Sequence, residues 1–491
     1  MASCSKPPHK SLFLGLCLLL SACAVGPNYK KPTVATPEQF KENKGWIQAA
    51  SLAVPSQGTW WTIFGDETLN TLEPRVAQAN QSLRASYYAY QQALALTDAA
   101  RAAEYPILGA AVSSTRSSSG STATPLVTPG TSTLVSGKTA SFTASWVPDF
   151  WGKVRRQVEA NESSAEASRN NLLAAQLSLQ AALAQNYFLI RQVDSQLALA
   201  QDTVTAYERS LQLAQNRYAA GVTNKADVAQ AQTQLASARV QLAAFNIQRA
   251  QLEHAIAVLI GEVPANFSLP PNPSLPEPQA IPVGLPSQLL LRRPDVSSAE
   301  RLVAAANAQI GVAESAYFPS LTLSAQGGWR SSGFSHLISA PNKFWAIGAT
   351  LAETLFDGGA RSAQVAMSKS AYQQAVAQYR QLSLQAFQQV EDQLAALSIL
   401  AEEAELQQQA VAAADESLQL ATNQYKAGTV SYLNVLTAQT ASYSARNGAL
   451  QIAGQRLIAS IALIQALGGG WGDDEHPELG AGVSLQLGAD K

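Results

Sequence analysis

From Ala140 to Trp146 apolar and polar residues alternate without a break, and Leu321 to Gln326 repeats the pattern. A period of two predicts strands with two unlike faces. Leu108 to Arg116, with weaker alternation, and Trp345 to Leu355 supply partners of the length a tilted membrane-crossing strand needs. The linkers Ser117 to Lys138 and Arg330 to Asn342 are rich in Ser, Gly, Thr and Pro and read as loops.

Elsewhere the apolar spacing alternates three and four. Val204, Tyr207, Leu211, Ala214 and Tyr218 form one such series; Val411, Ala414, Leu418, Ala421 and Tyr425 form another. This is the seam of helices packed as coiled coils, although an ordinary amphipathic helix has the same local spacing. Length separates the two: Lys153 to Ala220 and Ala360 to Ala427 contain neither Gly nor Pro, and at about 1.5 Å per residue each reaches on the order of 100 Å. A shorter first helix is expected over Arg75 to Tyr105.

The two series belong to a unit written twice. Ser210-Leu211-Gln212-Leu213-Ala214, Asn216, Tyr218 and Ala220-Gly221 return as Ser417-Leu418-Gln419-Leu420-Ala421, Asn423, Tyr425 and Ala427-Gly428. Upstream, Tyr105-Pro106 is answered by Phe318-Pro319, and Phe150, Gly152 and Arg155 by Phe356, Gly358 and Arg361. Such a long period indicates an internal gene duplication, not a short solenoid repeat. The organisation is then a signal segment (1–22), an extended Pro-rich leader (23–66), two repeats of helix, two strands and a long helical hairpin (67–280 and 281–472), and a polar tail (473–491).

At the N-terminus Lys6, His9 and Lys10 precede an apolar run from Leu12 to Leu20, too short for a resident membrane helix, so it is a secretory signal. It ends in Leu20-Ser21-Ala22-Cys23, which resembles the bacterial lipobox. Cys23 then carries S-diacylglycerol and an N-acyl chain, a firm anchor without a spanning helix, and no other cofactor is expected. Ala24, which is not acidic, favours the outer membrane. Cys4 and Cys17 leave with the signal, so the mature chain has no partner for a disulfide.

Composition removes several classes of function. A net charge of -2 with 14% charged residues gives no basic footprint for nucleic acid. The histidines His9, His254, His336 and His476 are scattered and lack metal-ligand spacing; Gly333 to Leu337 lacks the second glycine of a nucleophile elbow, and Gly468 to Gly472 follows a helix. The chain is not read as an enzyme.

Four strands cannot stand alone in lipid, because unpaired edge N–H and C=O groups each cost several kcal/mol there. A barrel needs at least about eight strands. Closure must come from several chains, and three copies would supply twelve; a soluble antiparallel sheet with one wet face has the same alternation.

The segments Leu285-Pro286-Ser287, Leu289-Leu290, Arg292-Arg293-Pro294-Asp295-Val296, Ala299-Glu300, Ala304 to Ala308, Ile310 to Ala313 and Phe318-Pro319-Ser320 closely resemble the TolC-like outer-membrane factors of tripartite efflux systems, in their lipoprotein (NodT-type) branch. Val25-Gly26-Pro27-Asn28-Tyr29, Trp60-Trp61 and Leu355 to Gly359 extend the resemblance over essentially the whole mature chain.

The resemblance implies a mainly α fold with membrane β: a homotrimer whose twelve-stranded transmembrane β-barrel, four strands per chain, continues as a twelve-helix coiled-coil tunnel through the periplasm. It implies a periplasmic membrane-fusion adaptor and an inner-membrane pump of the resistance-nodulation-division type as partners, and export of small molecules from the outer membrane of a Gram-negative cell. A protein-secretion component and a non-conducting lipid-anchored tether are the alternatives.

Within that frame the hairpin ends Gly221, Val222, Thr223, Gly428, Thr429 and Val430 are the expected adaptor contacts. A glycine with a small β-branched neighbour lets another helix tip come close to the backbone. Leu433 and Thr437, one turn apart, are the expected periplasmic constriction, although interhelical packing is an equal reading. Some relatives carry an acid where Thr437 stands, so the narrowing here is apolar and hydroxyl-lined. Asp227, at the matching place in the first repeat, is expected to cap or pair near its tip.

Overall fold

The computed structural model describes residues 24–42, 59–119, 133–278, 281 and 292–469. Cys23, the signal segment and the polar tail lie outside them. In chain order the elements are α1 (Glu67–Ala79), α2 (Gln81–Ala102), β1 (Ile107–Ser119), β2 (Thr133–Trp146), α3 (Lys153–Ala219), α4 (Lys225–Leu259), α5 (Pro294–Ser315), β3 (Ser320–Ser331), β4 (Lys343–Ala352), α6 (Ala360–Ala427) and α7 (Tyr432–Ala466). Two compact units emerge, each drawing on both repeats. One holds Tyr90–Ala167 and Ala299–Gln378 with the leader up to Pro32; the other holds Thr33–Ala89, Ser168–Ser298 and the chain from Tyr379 onward.

The long helices run almost as the Gly- and Pro-free stretches predict. The first helix does not. Asp66 caps α1 by accepting from the Leu69 N–H at 2.9 Å, which starts the helix before Arg75 and carries it through Pro74. Asn80 then breaks the run. Its side chain accepts from the Leu83 N–H at 3.0 Å and donates to the Leu259 carbonyl at 2.8 Å, satisfying groups that a continuous helix would satisfy itself.

The strands also overrun their sequence limits. β1 extends to Ser119, β2 starts at Thr133 and β3 ends at Ser331, inside stretches expected to be loops, whereas β4 stops at Ala352, short of Leu355. Cross-strand pairing continues as far as a partner is available, and small hydroxyl residues such as Ser117 and Ser118 accept it.

Sheet order is β1-β2-β3-β4, antiparallel throughout. Register decides the chemistry of its faces. Leu108, Ala110 and Val112 lie beside Ala144, Phe142 and Ala140, which lie beside Ala325, Gly327 and Trp329; Ala325 and Gly327 lie beside Ile347 and Trp345. This face contains no polar residue between Leu108 and Val112 on β1 or between Trp345 and Leu351 on β4. The opposite face collects Gly109, Ser113, Thr143, Ser141, Thr322, Ser324, Gln326 and Thr350. Among the described residues nothing covers the apolar side: Leu108, Val112, Trp345 and Ile347 are each at least 74% exposed. Arg116, Lys138 and Lys343 end the apolar band on its loop side.

In the same unit the leader is held tightly. The Arg156 guanidinium donates to the Val25 and Gly26 carbonyls at 3.2 Å and to Asn28 Oδ1 at 2.9 Å; Asn307 donates to the Pro27 carbonyl at 2.8 Å; the Tyr29 hydroxyl donates to Glu300. Gly26 and Gly311 make this approach possible. A Cβ on Gly26 would stand 2.4 Å from the Gly311 Cα, and one on Gly311 would stand 2.7 Å from the Val25 carbonyl oxygen. Gly311→Val is therefore expected to displace the leader while keeping α5. Trypsin cleavage after Lys30 should rise several-fold in the variant; unchanged cleavage would remove the leader clamp.

The other unit buries Leu183, Tyr187, Phe188 and Ile190 of α3 and Leu69, Leu72 and Val76 of α1; Phe64 and Phe188 are in ring contact at 5.0 Å, and the Tyr187 hydroxyl donates to Asp66 at 2.7 Å. Asp194 is the buried anchor for the chain leaving α4. It accepts from Arg191 at 3.1 Å, Arg249 at 2.7 Å and the Asn272 N–H at 2.9 Å, while the same two arginines donate to the Pro270 and Leu269 carbonyls. Each charge is paired, as burial requires, and the Arg191 Nε is the one donor of this group left without a hydrogen-bond partner among the described residues.

Glu73 is different. It is fully buried, neither oxygen has a hydrogen-bond partner among the described residues, and burial pushes its carboxyl up to about 9. Folding therefore retains a proton that the unfolded chain releases near the ordinary carboxylate range. The resulting stability is complete below that range and is lost as pH rises through about 9. Denaturant midpoints measured from mildly acidic to mildly alkaline pH should fall for the native chain and stay flat for Glu73→Gln; equal slopes would place a cation beside Glu73.

Candidate functional site: hairpin ends and the exposed face of α7

Both hairpins end in the same hydrogen-bonded motif. At the first, Gly221 has φ 71° and donates to the Tyr218 carbonyl at 3.0 Å, while the Val222 N–H reaches back to the Arg217 carbonyl at 2.9 Å. At the second, Gly428 has φ 81°, donates to Tyr425 at 3.0 Å, and the Thr429 N–H reaches the Gln424 carbonyl at 3.0 Å. This is the glycine-terminated Schellman ending, which uses a left-handed residue to satisfy the last carbonyls. Nothing lies within 4 Å of a Cβ built on Gly221.

Gly221, Val222, Gly428 and Thr429 are exposed, so the backbone is open to a partner at both ends. Thr223 and Val430 are half-buried. The Thr223 hydroxyl donates to Asp227, whose own N–H is capped by Asn224 at 3.1 Å, so Asp227 pairs at its tip as expected. Val430 packs on the cluster of Ala214, Ala231, Tyr425, Tyr432 and Val435.

Against Tyr425 of that cluster lies a residue to which the sequence reading gave no role. Arg217 lies over the Tyr425 ring at 4.7 Å and donates to the Tyr425 carbonyl at 3.1 Å, so the last turn of α3 holds the last turn of α6. A guanidinium suits the negative end of a helix, and stacking on the ring adds a cation–π contact. Its signal was present: Arg217 stands where the second repeat has Gln424, a charge difference within closely matched segments. Burial raises the Tyr425 hydroxyl above its ordinary value and pushes Tyr432 up to about 12, so both stay neutral in the cellular range.

Beyond the second tip α7 has two faces. Tyr432, Val435, Ala438, Gln439 and Ser442 are buried; Leu433, Asn434, Thr437 and Thr440 are exposed. Leu433 is 54% exposed and accepts, through its carbonyl, the Thr437 hydroxyl at 2.9 Å. The two residues share the open face of α7. Further along, Arg446 reaches across to Asp415 at 2.7 Å and holds that carboxyl below its usual range. Tyr432–Ala466 is long and apolar enough to cross a membrane, but Leu457, Ile461 and Ile464 are fully buried within the chain. Among the described residues no group of His, Cys, Asp and Glu has the geometry of a metal site.

Comparison with known proteins agrees along most of the chain. The family described as "Outer membrane efflux protein" matches residues 73–262 and 285–469, one stretch in each repeat. The chain is 31% identical over 472 residues to the "Cation efflux system protein CusC" of Escherichia coli, covering 94% of this chain and 99% of the relative. It is 32% identical over 473 residues to the "Pyoverdine export outer membrane protein OpmQ" of Pseudomonas aeruginosa, covering 94% and 97%. The solved outer-membrane channel OprN superposes with a TM-score of 0.85 at 27% identity, covering 91% of this chain and 100% of that one.

Proposed function

The chain belongs to the outer membrane efflux protein family, and from that membership we propose how it works: three copies close one barrel in the outer membrane, and their helical hairpins form a periplasmic duct that carries small molecules outward. The carrying observation is the sheet, with one unbroken apolar face and with outer edges on β1 and β4 that have no strand partner among the described residues. In hydrocarbon those edges would each leave N–H and C=O groups unsatisfied, at several kcal/mol per group, so neighbouring copies must pair them. The polar second face, built of Ser, Thr, Gly and Gln, then lines the pore.

The duct works with a periplasmic adaptor and an inner-membrane pump of the resistance-nodulation-division type. We assign the adaptor contact to Gly221, Val222, Gly428 and Thr429, with Thr223 and Val430 shaping the turns beneath them. Leu433 and Thr437 form the narrowing, supported by their shared exposed face. One relative is named for cations and another for pyoverdine, which fits a pore whose cargo is chosen by its pump. The chain contributes a path and no catalysis. Acylation at Cys23, supported by Leu20-Ser21-Ala22-Cys23, adds a second hold on the membrane.

Planar-bilayer recording tests the duct directly: purified protein should give stable single-channel steps, and a lipid-anchored tether would give none. Deletion should sensitise cells to toxic compounds or metal ions and leave the secreted proteome unchanged. Cys23→Ser should abolish acyl labelling while retaining partial export, because the barrel holds itself in the membrane.

A further inference from the structure

The internal duplication specifies how one copy meets the next, because a closed ring of repeats alternates a contact seen within the chain with one between chains. This inference rests on the trimeric barrel proposed above. β1 corresponds to β3 through Tyr105-Pro106 and Phe318-Pro319, which places Val112 on Ala325 and Ser114 on Gly327. The hairpins then set β2 on β4: Leu108↔Ala144 in the first is Leu321↔Leu351 in the second, and Ala110↔Phe142 is Leu323↔Ala349. This correspondence comes from the pairing itself and is one residue longer than that of Phe150 with Phe356, so the link after β4 is one residue shorter than the link after β2.

The junction between the repeats, β2 on β3, is visible within the chain as Ala144↔Ala325, Phe142↔Gly327 and Ala140↔Trp329. Carried through the correspondence, we infer that β4 of one copy pairs antiparallel with β1 of the next in the register Leu351↔Val112, Ala349↔Ser114 and Ile347↔Arg116. The faces agree, although the correspondence was not built from them. Leu351, Ala349 and Ile347 lie on the apolar side of β4, and Val112, Ser114 and Arg116 lie on the side of β1 that continues the apolar face. A shift of one residue would turn β1 over and send Val112 into the pore. The register also places Arg116 of one copy opposite Ile347 of the next, two residues along β4 from Trp345.

Cysteine pairs test the register in the intact, outer-membrane protein. Directly opposed residues on antiparallel strands lie within the Cα range a disulfide accepts, whereas a slip of two residues adds about 7 Å along the strand and exceeds it. The two edges of one copy are separated by β2 and β3, so a bond between them is intermolecular. Ala349→Cys with Ser114→Cys, and independently Leu351→Cys with Val112→Cys, should give covalent dimers and trimers on non-reducing gels. Their yield should be at least about tenfold above that of the slipped pairs Ala349→Cys with Val112→Cys and Ala349→Cys with Arg116→Cys, and above the single variants. Preferential linking of a slipped pair overturns the register, as does native mass showing trimers that none of the pairs links. Monomers by native mass would overturn the trimeric barrel itself, and the register with it.

Discussion

Gly428→Pro abolishes export while leaving assembled protein in the outer membrane. Gly428 has φ 81° and its N–H donates to the Tyr425 carbonyl. Proline holds φ near -65° and has no N–H, so the substitution removes the bond and forbids the turn, at about 3 kcal/mol or more. The damage is confined to the end of α6 and the start of α7, whereas the strands belong to the other compact unit. Gly221→Pro should act in the same way at the first tip. Gly428→Asn, which tolerates the left-handed region, should retain most of the export. The checks are toxic-compound resistance in a deletion strain and the amount of heat-modifiable trimer in outer membranes. Full resistance in both proline variants would remove the tips from the docking surface, and loss of trimer would make them folding elements instead.

Ala325→Arg should prevent membrane assembly, and Gln326→Arg, at the very next residue, should not. Ala325 lies mid-strand on the apolar face, flanked by Ala144 and Ile347; Gln326 lies on the other face between Thr143 and Ala346. An arginine in the hydrocarbon midplane of a barrel costs about 2–4 kcal/mol, incurred once per copy, whereas one facing the pore meets water. Outer-membrane content should drop at least about tenfold for the first variant, and the second should change conductance or ion selectivity. Equal assembly of the two would mean that the sheet faces have been assigned the wrong way round.

Much of this was legible in the order of residues. The two Gly- and Pro-free stretches gave the long helices almost to the residue, and the glycines after Ala220 and Ala427 gave their ends, because helix continuation and termination are local properties of the backbone. Strand ends were less legible. Ser117 and Ser118 look like loop residues and extend β1 only because β2 runs alongside. The first helix was misread for a similar reason: Asn80 is unremarkable in sequence, and only its bond to the Leu259 carbonyl shows why the helix breaks there.

The site divides in the same way. The tip glycines could be found from the repeat, whereas Arg217 could not be assigned a role until the end of α6 was seen beneath it. Leu433 and Thr437 were an even choice between packing and lining, and exposure within the chain favours lining. Glu73 carries no mark in the sequence at all. Its neutral state comes from burial, which depends on every element around it.

By itself, then, the order of residues determined the duplication, the periods of two and three-to-four and the hairpin ends, since each is fixed by neighbours along the chain. Only the tertiary structure decided which sheet face is apolar from edge to edge, which carbonyls Arg217 and Arg156 hold, and which side of α7 stays open. Those depend on register and on contacts between residues far apart in the chain, and a local pattern carries no information about its distant partner.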